Sequence, residues 1–256
     1  MSLSNQSGAA IITGASRNIG AAIALRLAAD GFPVAINYYS KKEQTDAEEV
    51  KAQIVNIGGR AEIYQCDVSQ SDQIDRMFRD ITADLGAPSV LVNNAATSVA
   101  SAITFREIDE QAWDDVTDTN LKGVFLCCKA FDTYSVPGSY RSIINISSIR
   151  VAIGMEGNSH YTAAKAALIG FGRVLARELG ASEIRVNAIL PGAITTPDQA
   201  AYGDVAALQR MILDAQSLKR LGMPVDIANL VSFLASPGAS FITGQSILCD
   251  GGWDFQ

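Results

Sequence analysis

The stretch Ala9-Ala10-Ile11-Ile12-Thr13-Gly14-Ala15-Ser16-Arg17-Asn18-Ile19-Gly20 decides how the rest of the chain is read. An unbroken apolar run of this length suits a strand buried on both faces of a parallel sheet. A glycine-bearing turn follows. Then comes Ile19 to Asp30, rich in Ala, Leu and Ile, with Ile23 and Leu27 one turn apart on one face. Gly31 stands where a helix takes a left-handed terminal residue. Strand, tight turn and helix make the first half of a β-α-β unit.

The same alternation runs on to the C-terminus. Val34-Ala35-Ile36 reads as a second strand, Asp46 to Ile57 as a helix stopped by Gly58-Gly59, and Ala61 to Cys66 as a third strand. Gln70 to Leu85 is a helix ending at Gly86, and Val90-Leu91-Val92 is a fourth strand. Asp109 to Thr133 reads as one long helix, broken by Pro137-Gly138 and followed by a strand at Ile143-Ile144-Asn145-Ile146. Tyr161 to Leu179 is a helix stopped by Gly180. Ile184 to Leu190 is a strand ended by Pro191-Gly192, and Gln245 to Cys249 is the last. The expected fold class is α/β: a Rossmann-like, doubly wound parallel sheet of about seven strands with helices on both faces. No linker or repeat interrupts the pattern, so residues 1–256 are read as a single domain. Ala193 to Met223 has no sheet role. It is polar, Ala-rich and weakly helical, and it follows a strand end, where such sheets bind ligands; it is expected to be a substrate lid.

Composition narrows the function. Hydrophobic residues are 48% and charged residues 18% of the 256, which excludes a disordered chain. The net charge of −7 points away from nucleic acid, whose phosphates need clustered Lys and Arg. No apolar run reaches the ~18–20 residues of a membrane span, and Met1 to Gly8 lacks a basic-then-apolar leader. Cys66, Cys127, Cys128 and Cys249 make no Cys-x-x-Cys pair, and His160 is the only histidine. The expectation is no metal, four small apolar cysteines and a cytoplasmic, reducing setting.

The turn from Thr13 to Gly20 carries the first chemistry. Gly14 is free to take a positive φ, Gly20 lets the helix approach the strand, and the helix N–H groups can hold a pyrophosphate. A dehydrogenase selective for NAD places a carboxylate after the second strand to grip the ribose. Here that end reads Asn37-Tyr38-Tyr39-Ser40-Lys41-Lys42. Hydroxyl and ammonium groups there, with Arg17 in the turn, suit a 2′-phosphate, so NADP(H) is expected in preference to NAD(H).

Tyr161-Thr162-Ala163-Ala164-Lys165 places Tyr161 and Lys165 one helical turn apart on one face. A phenol of pKa near 10 is a poor acid–base group at neutral pH, and a neighbouring lysine cation favours the phenolate. Ser148, at the end of the fifth strand, offers a hydroxyl to a substrate oxygen.

Together these motifs resemble the short-chain dehydrogenase/reductase family over nearly the whole chain. Thr13-Gly14-x-x-x-Asn18-Ile19-Gly20 is similar to its cofactor turn. Asp67 in Cys66-Asp67-Val68 matches its adenine contact, and Asn93-Asn94-Ala95-Ala96 its Asn-Asn-Ala-Gly element. Asn120, Ser148, Tyr161 and Lys165 match its catalytic tetrad, and Pro191-Gly192 with Ile194 and Thr195-Thr196 resembles the segment that holds the carboxamide. The resemblance implies that Tyr161 is the general acid/base and Ser148 the donor to the carbonyl. Lys165 binds the nicotinamide ribose and acidifies Tyr161, and Asn120 holds a relay water. It implies cofactor contacts from Gly14, Ser16, Arg17, Asn18, Ile19, Gly20, Tyr38, Ser40, Lys41, Asp67, Val68, Asn94, Ala95, Pro191, Gly192, Ile194 and Thr196, besides Tyr161 and Lys165. Met155, Gln199 and Tyr202, with Ser148 and Tyr161, are expected at the substrate.

Asn18 and Ala96 stand where the family has glycine. The tail Arg220-Leu221-Gly222-Met223-Pro224, Thr243-Gly244-Gln245 and Asp250-Gly251-Gly252 resembles the 3-oxoacyl-(acyl carrier protein) reductase and glucose dehydrogenase branch. The resemblance implies tetramers formed through the helices beginning near Asp109 and Tyr161 and through the C-terminal strand. The expected function is hydride transfer between NADPH and a small carbonyl or secondary alcohol in a homotetramer. The alternative is a non-catalytic NADP(H) sensor on the same fold.

Overall fold

The computed structural model describes residues 8–97, 103–137, 140–196 and 205–255. The apolar runs become strands β1 (Ala9–Ile12), β2 (Val34–Tyr38), β3 (Ala61–Gln65), β4 (Pro88–Asn93), β5 (Arg141–Ile146), β6 (Ile184–Pro191) and β7 (Ser246–Cys249). They form a seven-stranded sheet in the order β3-β2-β1-β4-β5-β6-β7. Every adjacent pair is parallel. The order reverses between β1 and β4, where a doubly wound sheet leaves a crevice at its carboxyl edge.

The helices are α1 (Asn18–Ala29), α2 (Gln44–Asn56), α3 (Ser71–Leu85), α4 (Glu110–Thr117), α5 (Gly123–Tyr134), α6 (Arg150–Ile153), α7 (Ser159–Glu178), α8 (Val205–Ala215) and α9 (Pro224–Ala235). Strand side chains alternate between two cores, as a period of two demands. Ala10, Ile12, Val34 and Ile36 join Ile23, Leu27, Val50 and Ile227 from α1, α2 and α9. Ala9, Ile11, Ala35 and Leu91 join Phe78, Phe131 and Leu168 from α3, α5 and α7. Both faces are covered over β1, β2, β4, β5 and β6, which explains why these strands read as apolar runs, while the edge strands β3 and β7 are only partly buried.

Three features depart from the sequence reading. The long helix expected over Asp109 to Thr133 is divided: a π turn, Asp118–Lys122, separates α4 from α5. Asp109 caps α4 by accepting from Ala112 N–H at 2.8 Å. Gly123 then lies against β3's following loop, where a Cβ would stand 2.9 Å from the Val68 carbonyl. The inserted π residue accommodates that approach and turns Asn120 fully inward. Helix α9 was not expected at all. Pro224 at its first turn and Asp226, which accepts from Met223 N–H at 2.8 Å, start it. Finally, the segment given no sheet role makes an isolated parallel bridge, Ile194 to Gly222, while its helix α8 agrees with the weakly helical reading.

Candidate active site

Because the strands are parallel, the loops leaving their carboxyl ends gather at one edge of the sheet. The β1–α1 turn is fixed there by side chains from three strands. Thr13 Oγ1 accepts from the N–H groups of Asn94 and Ala95, both at 3.0 Å. Asn94 Nδ2 donates to the carbonyls of Thr13 and Gly14, both at 2.9 Å. Asn37 Oδ1 accepts from Gly14 N–H at 3.0 Å, while its Nδ2 donates to the Cys66 carbonyl at 3.0 Å. This buried amide ties the turn to β2 and β3, and no local motif announced it.

The turn fits a dinucleotide. Gly14 has φ +60°, and a Cβ there would stand 2.9 Å from Ala95 Cα. A Cβ on Gly20 would lie 2.2 Å from the Gly14 carbonyl oxygen, so helix and turn meet only through glycine. Asn18 has φ +53°, a left-handed conformation that Asn tolerates, which accounts for its standing in place of glycine. Arg17 is the extended N-cap of α1 and makes no side-chain cap, and the first turn holds no acid. The helix N-terminus is thereby left to an anion. Ser16 is buried, Ile19 half-buried and Arg17 exposed.

Beyond β2, Tyr38 is buried, Ser40 half-buried and Lys41 exposed. The sequence reading had no carboxylate at this end. The structure supplies one: a short 3-10 turn, Lys41–Glu43, folds Glu43 back so that Oε2 accepts from Tyr39 N–H at 2.9 Å. Asp67 shapes the loop after β3 by accepting from Ser69 N–H at 2.9 Å, with Val68 buried beside it. Gly192 packs onto the end of β7, where a Cβ would meet Asp250 Cα at 2.6 Å. Pro191 and Ile194 are buried and Thr196 half-buried.

Ser148, Tyr161 and Lys165 come together where β5 meets α7. Ser147 Oγ donates to the Lys165 carbonyl at 2.9 Å, joining strand end to helix. Lys165 is buried, donates from Nζ to the Ile146 carbonyl at 2.7 Å, and holds Nζ 5.7 Å from the centre of the Tyr161 ring. Burial lowers its pKa from 10.5 to about 8. Ser148 is buried at the strand end and accepts from Arg150 N–H at 3.2 Å. Asn120 is placed differently. Its Oδ1 accepts from Thr97 N–H at 2.8 Å, and its Nδ2 reaches the Thr97 carbonyl at 3.4 Å. The amide therefore anchors the loop after β4.

On the substrate side, Met155 is half-buried between Ser148 and Tyr161 in sequence. Gln199 and Tyr202 lie outside the described residues. His160 is buried, and its Nδ1 has no hydrogen-bond partner among the described residues. Sequence reasoning passed over Arg150, whose Nη1 faces the carbonyls of Met155, Glu156 and Gly157. It also passed over a cavity of about 500 Å³ walled by Ile194, Gln216, Arg220, Asp226 and Cys249. That cavity shares Ile194 with the cofactor side but includes none of Asn120, Ser148, Tyr161 and Lys165. Cys66, Cys127 and Cys128 are buried thiols, and burial pushes Cys66 up to about 12. No helix among the described residues is long and apolar enough to cross a membrane.

Comparison with known proteins agrees with this geometry. A family model described as enoyl-(acyl carrier protein) reductase matches residues 14–254. The 3-oxoacyl-(acyl-carrier-protein) reductase FabG of Staphylococcus epidermidis is 41% identical over 245 residues, 95% of this chain and 97% of that protein. A 3-oxoacyl-(acyl-carrier-protein) reductase of Synechocystis is 38% identical over 95% of both. A blue fluorescent protein from a metagenomic library, solved in complex with NADPH, superposes with a TM-score of 0.90 at 33% identity over 100% of both chains. These relatives leave the non-catalytic sensor without support. The chain belongs to the short-chain dehydrogenase/reductase family, oxidoreductases that act on a carbonyl or CH–OH group.

Proposed function

We propose that this protein reduces a small carbonyl substrate with NADPH, preferred over NADH, and that a 3-oxoacyl thioester or another small ketone or sugar is the substrate. The bound nicotinamide would supply the hydride. The turn at Gly14, Ser16, Arg17, Asn18, Ile19 and Gly20 would hold its pyrophosphate, and Asn94 and Ala95 would flank it. Tyr161 would give its proton to the carbonyl oxygen as that oxygen gains charge, and the Ser148 hydroxyl would donate a hydrogen bond to it. Lys165 would hold the phenol toward its ionised form and bind the ribose. Asn120 would contribute to proton relay through the backbone of its π turn, because its amide is engaged by Thr97. Residues 193–223 would cover the substrate, and the protein would assemble as a homotetramer.

The observation that carries this reading is the buried Lys165 ammonium, 5.7 Å from the Tyr161 ring and bonded to the carbonyl of Ile146, the last residue of β5, two positions before Ser148. A lysine buried without a carboxylate partner costs stability, as its lowered pKa records. Acidifying the phenol beside it gives that cost a purpose. The two reductases named by the comparisons act on different bonds, C=C and C=O; a hydroxyl pair around one oxygen suits the carbonyl. The test is NADPH oxidation with 3-oxoacyl thioesters, trans-2-enoyl thioesters and simple ketones, for wild type and Tyr161→Phe. The expected result is carbonyl reduction that falls about 10²–10⁴-fold in the variant with NADPH affinity unchanged. A wild type that binds NADPH tightly yet reduces nothing, or reduces only the enoyl substrate, overturns it.

Support for the cofactor preference is Arg17 and Lys41, both exposed at the carboxyl ends of β1 and β2. Glu43 works against them. Its bond to Tyr39 N–H directs the carboxylate to the loop backbone, which leaves the cations for a phosphate. Direct titration of both cofactors decides the matter: NADPH should bind at least several-fold more tightly, and equal or tighter NADH binding sinks the proposal.

A further inference from the structure

We propose that Arg150 is a positioning residue for this reaction: its guanidinium braces the loop that joins Ser148 to Tyr161 and fixes the two hydroxyls relative to each other. The inference rests on the roles given above to Ser148 and Tyr161. The loop from Gly154 to Asn158 is irregular, with left-handed Gly154 at φ +61°, Gly157 at +78° and Asn158 at +54°. Left-handed residues break the regular pairing of backbone groups, and the carbonyls of Met155, Glu156 and Gly157 instead turn toward one atom. Arg150 Nη1 lies 3.5, 3.4 and 3.2 Å from them. These distances are long for single hydrogen bonds. The attraction is that of a cation for three converging carbonyl dipoles. No carboxylate of the described residues forms a salt bridge with Arg150.

The other end of the brace is Ser148. Arg150 N–H donates to Ser148 Oγ at 3.2 Å, which occupies an acceptor site of the hydroxyl and leaves its proton to be donated. Helix α6 begins at Arg150, so the same residue meets the strand end through its backbone and the approach to Tyr161 through its side chain. At the far side of the loop, Asn158 is fixed by a reciprocal pair with Ile103: Asn158 N–H to the Ile103 carbonyl at 2.9 Å, and Ile103 N–H to Asn158 Oδ1 at 3.0 Å. Between Gly154 and Gly157, one Arg150 nitrogen reaches all three carbonyls. Every non-proline substitution keeps the bond to Ser148, so a side-chain variant tests the guanidinium alone.

The experiment compares wild type, Arg150→Met and Arg150→Lys by backbone hydrogen exchange with NADPH bound and by steady-state kinetics. In Arg150→Met, amides 154–161 should exchange faster while those of the Thr13–Gly20 turn do not change. The kcat should fall about 10–100-fold, as a displacement near 1 Å can produce, with NADPH affinity within about two-fold of wild type. Arg150→Lys, whose three donors also suit converging carbonyls, should recover kcat to within a few-fold. Unchanged exchange at 154–161 in Arg150→Met overturns the proposal whatever the enzyme reduces. So does faster exchange with an unchanged kcat, or a lysine variant no better than methionine. An inactive wild type overturns the carbonyl reductase reading instead, and the exchange comparison separates the two failures because it needs no substrate.

Discussion

Lys165 ties the reaction to the stability of the fold. Its ammonium is buried and donates to the Ile146 carbonyl at 2.7 Å. Burial brings its pKa from 10.5 to about 8. The folded state therefore releases a proton between pH 8 and 10.5 that the unfolded chain keeps. Stability rises with pH wherever the unfolded state binds more protons, by about 1.4 kcal/mol per pH unit for one site. Below pH 8 both states are charged and the penalty is fully present; above 10.5 both are neutral and it is gone. Lys165→Met removes the titration. The stability of wild type relative to this variant should accordingly climb by roughly 2 kcal/mol between pH 8 and 9.5 in urea unfolding of the cofactor-free protein. Ionisation of the buried thiols acts in the opposite direction on both proteins and cancels in the difference. Parallel curves would show that Lys165 is not desolvated.

At the level of elements, the lid reading yields a prediction about its anchor. Gln216 is buried and donates from Nε2 to the carbonyls of Leu218 and Arg220. The neighbouring backbone is tied to the C-terminal tail by Ser217 N–H to Gly252 at 3.0 Å and Leu218 N–H to Gly251 at 2.8 Å. Arg220 holds Asp226 at the start of α9 through two contacts, 2.7 and 2.8 Å. Gln216→Ala removes both of these hydrogen bonds, at a cost of about 0.5–1.5 kcal/mol each. If residues 193–223 cover the substrate, KM for the carbonyl should rise several-fold while NADPH affinity stays constant. Steady-state kinetics with a cofactor titration checks both, and an unchanged KM argues against the lid. The same elements show what a sequence discloses. Strands β1, β2, β4, β5 and β6 were legible because burial on both faces writes an apolar run, the half-buried edge strands β3 and β7 because glycines bound them, and Tyr161 with Lys165 because one helical turn separates them. Helix α9 had its own signals, Pro224 and Asp226 followed by Ile227, Ala228, Val231 and Leu234, and those were overlooked. The π turn at Asn120 was not legible, since it answers to Thr97 and Val68, contacts set by the tertiary fold. Asn37 and Arg150 were hidden for the same reason: each satisfies backbone groups of another segment, which leaves no periodic trace.

For the molecule as a whole, the question is what covers its apolar surface. Helices α5 and α7 leave Phe125 47% and Val174 54% exposed, and Phe125 meets the half-buried Phe171 edge-on with centroids 6.3 Å apart. The apolar residues of these helices divide into two groups. Val124 and Leu168 are buried in the protomer's own core, so they cannot serve an interface. Phe125, Phe171 and Val174 remain, and an apolar patch of aromatic and β-branched residues on paired helices is the composition of a subunit contact. The net charge of −7 would otherwise keep copies apart, so such a contact has to be carried by packing and not by charge attraction. The homotetramer proposed above therefore predicts that Val174→Asp, which places a carboxylate three residues from Phe171 on α7 and over three helical turns from Tyr161, shifts the protein to smaller species. Sedimentation velocity at micromolar concentration should show wild type as a tetramer and the variant as dimer or monomer, with the far-ultraviolet circular dichroism of both alike. A wild type that sediments as a monomer sinks the assembly outright; a tetrameric Val174→Asp shows that the copies meet through another face.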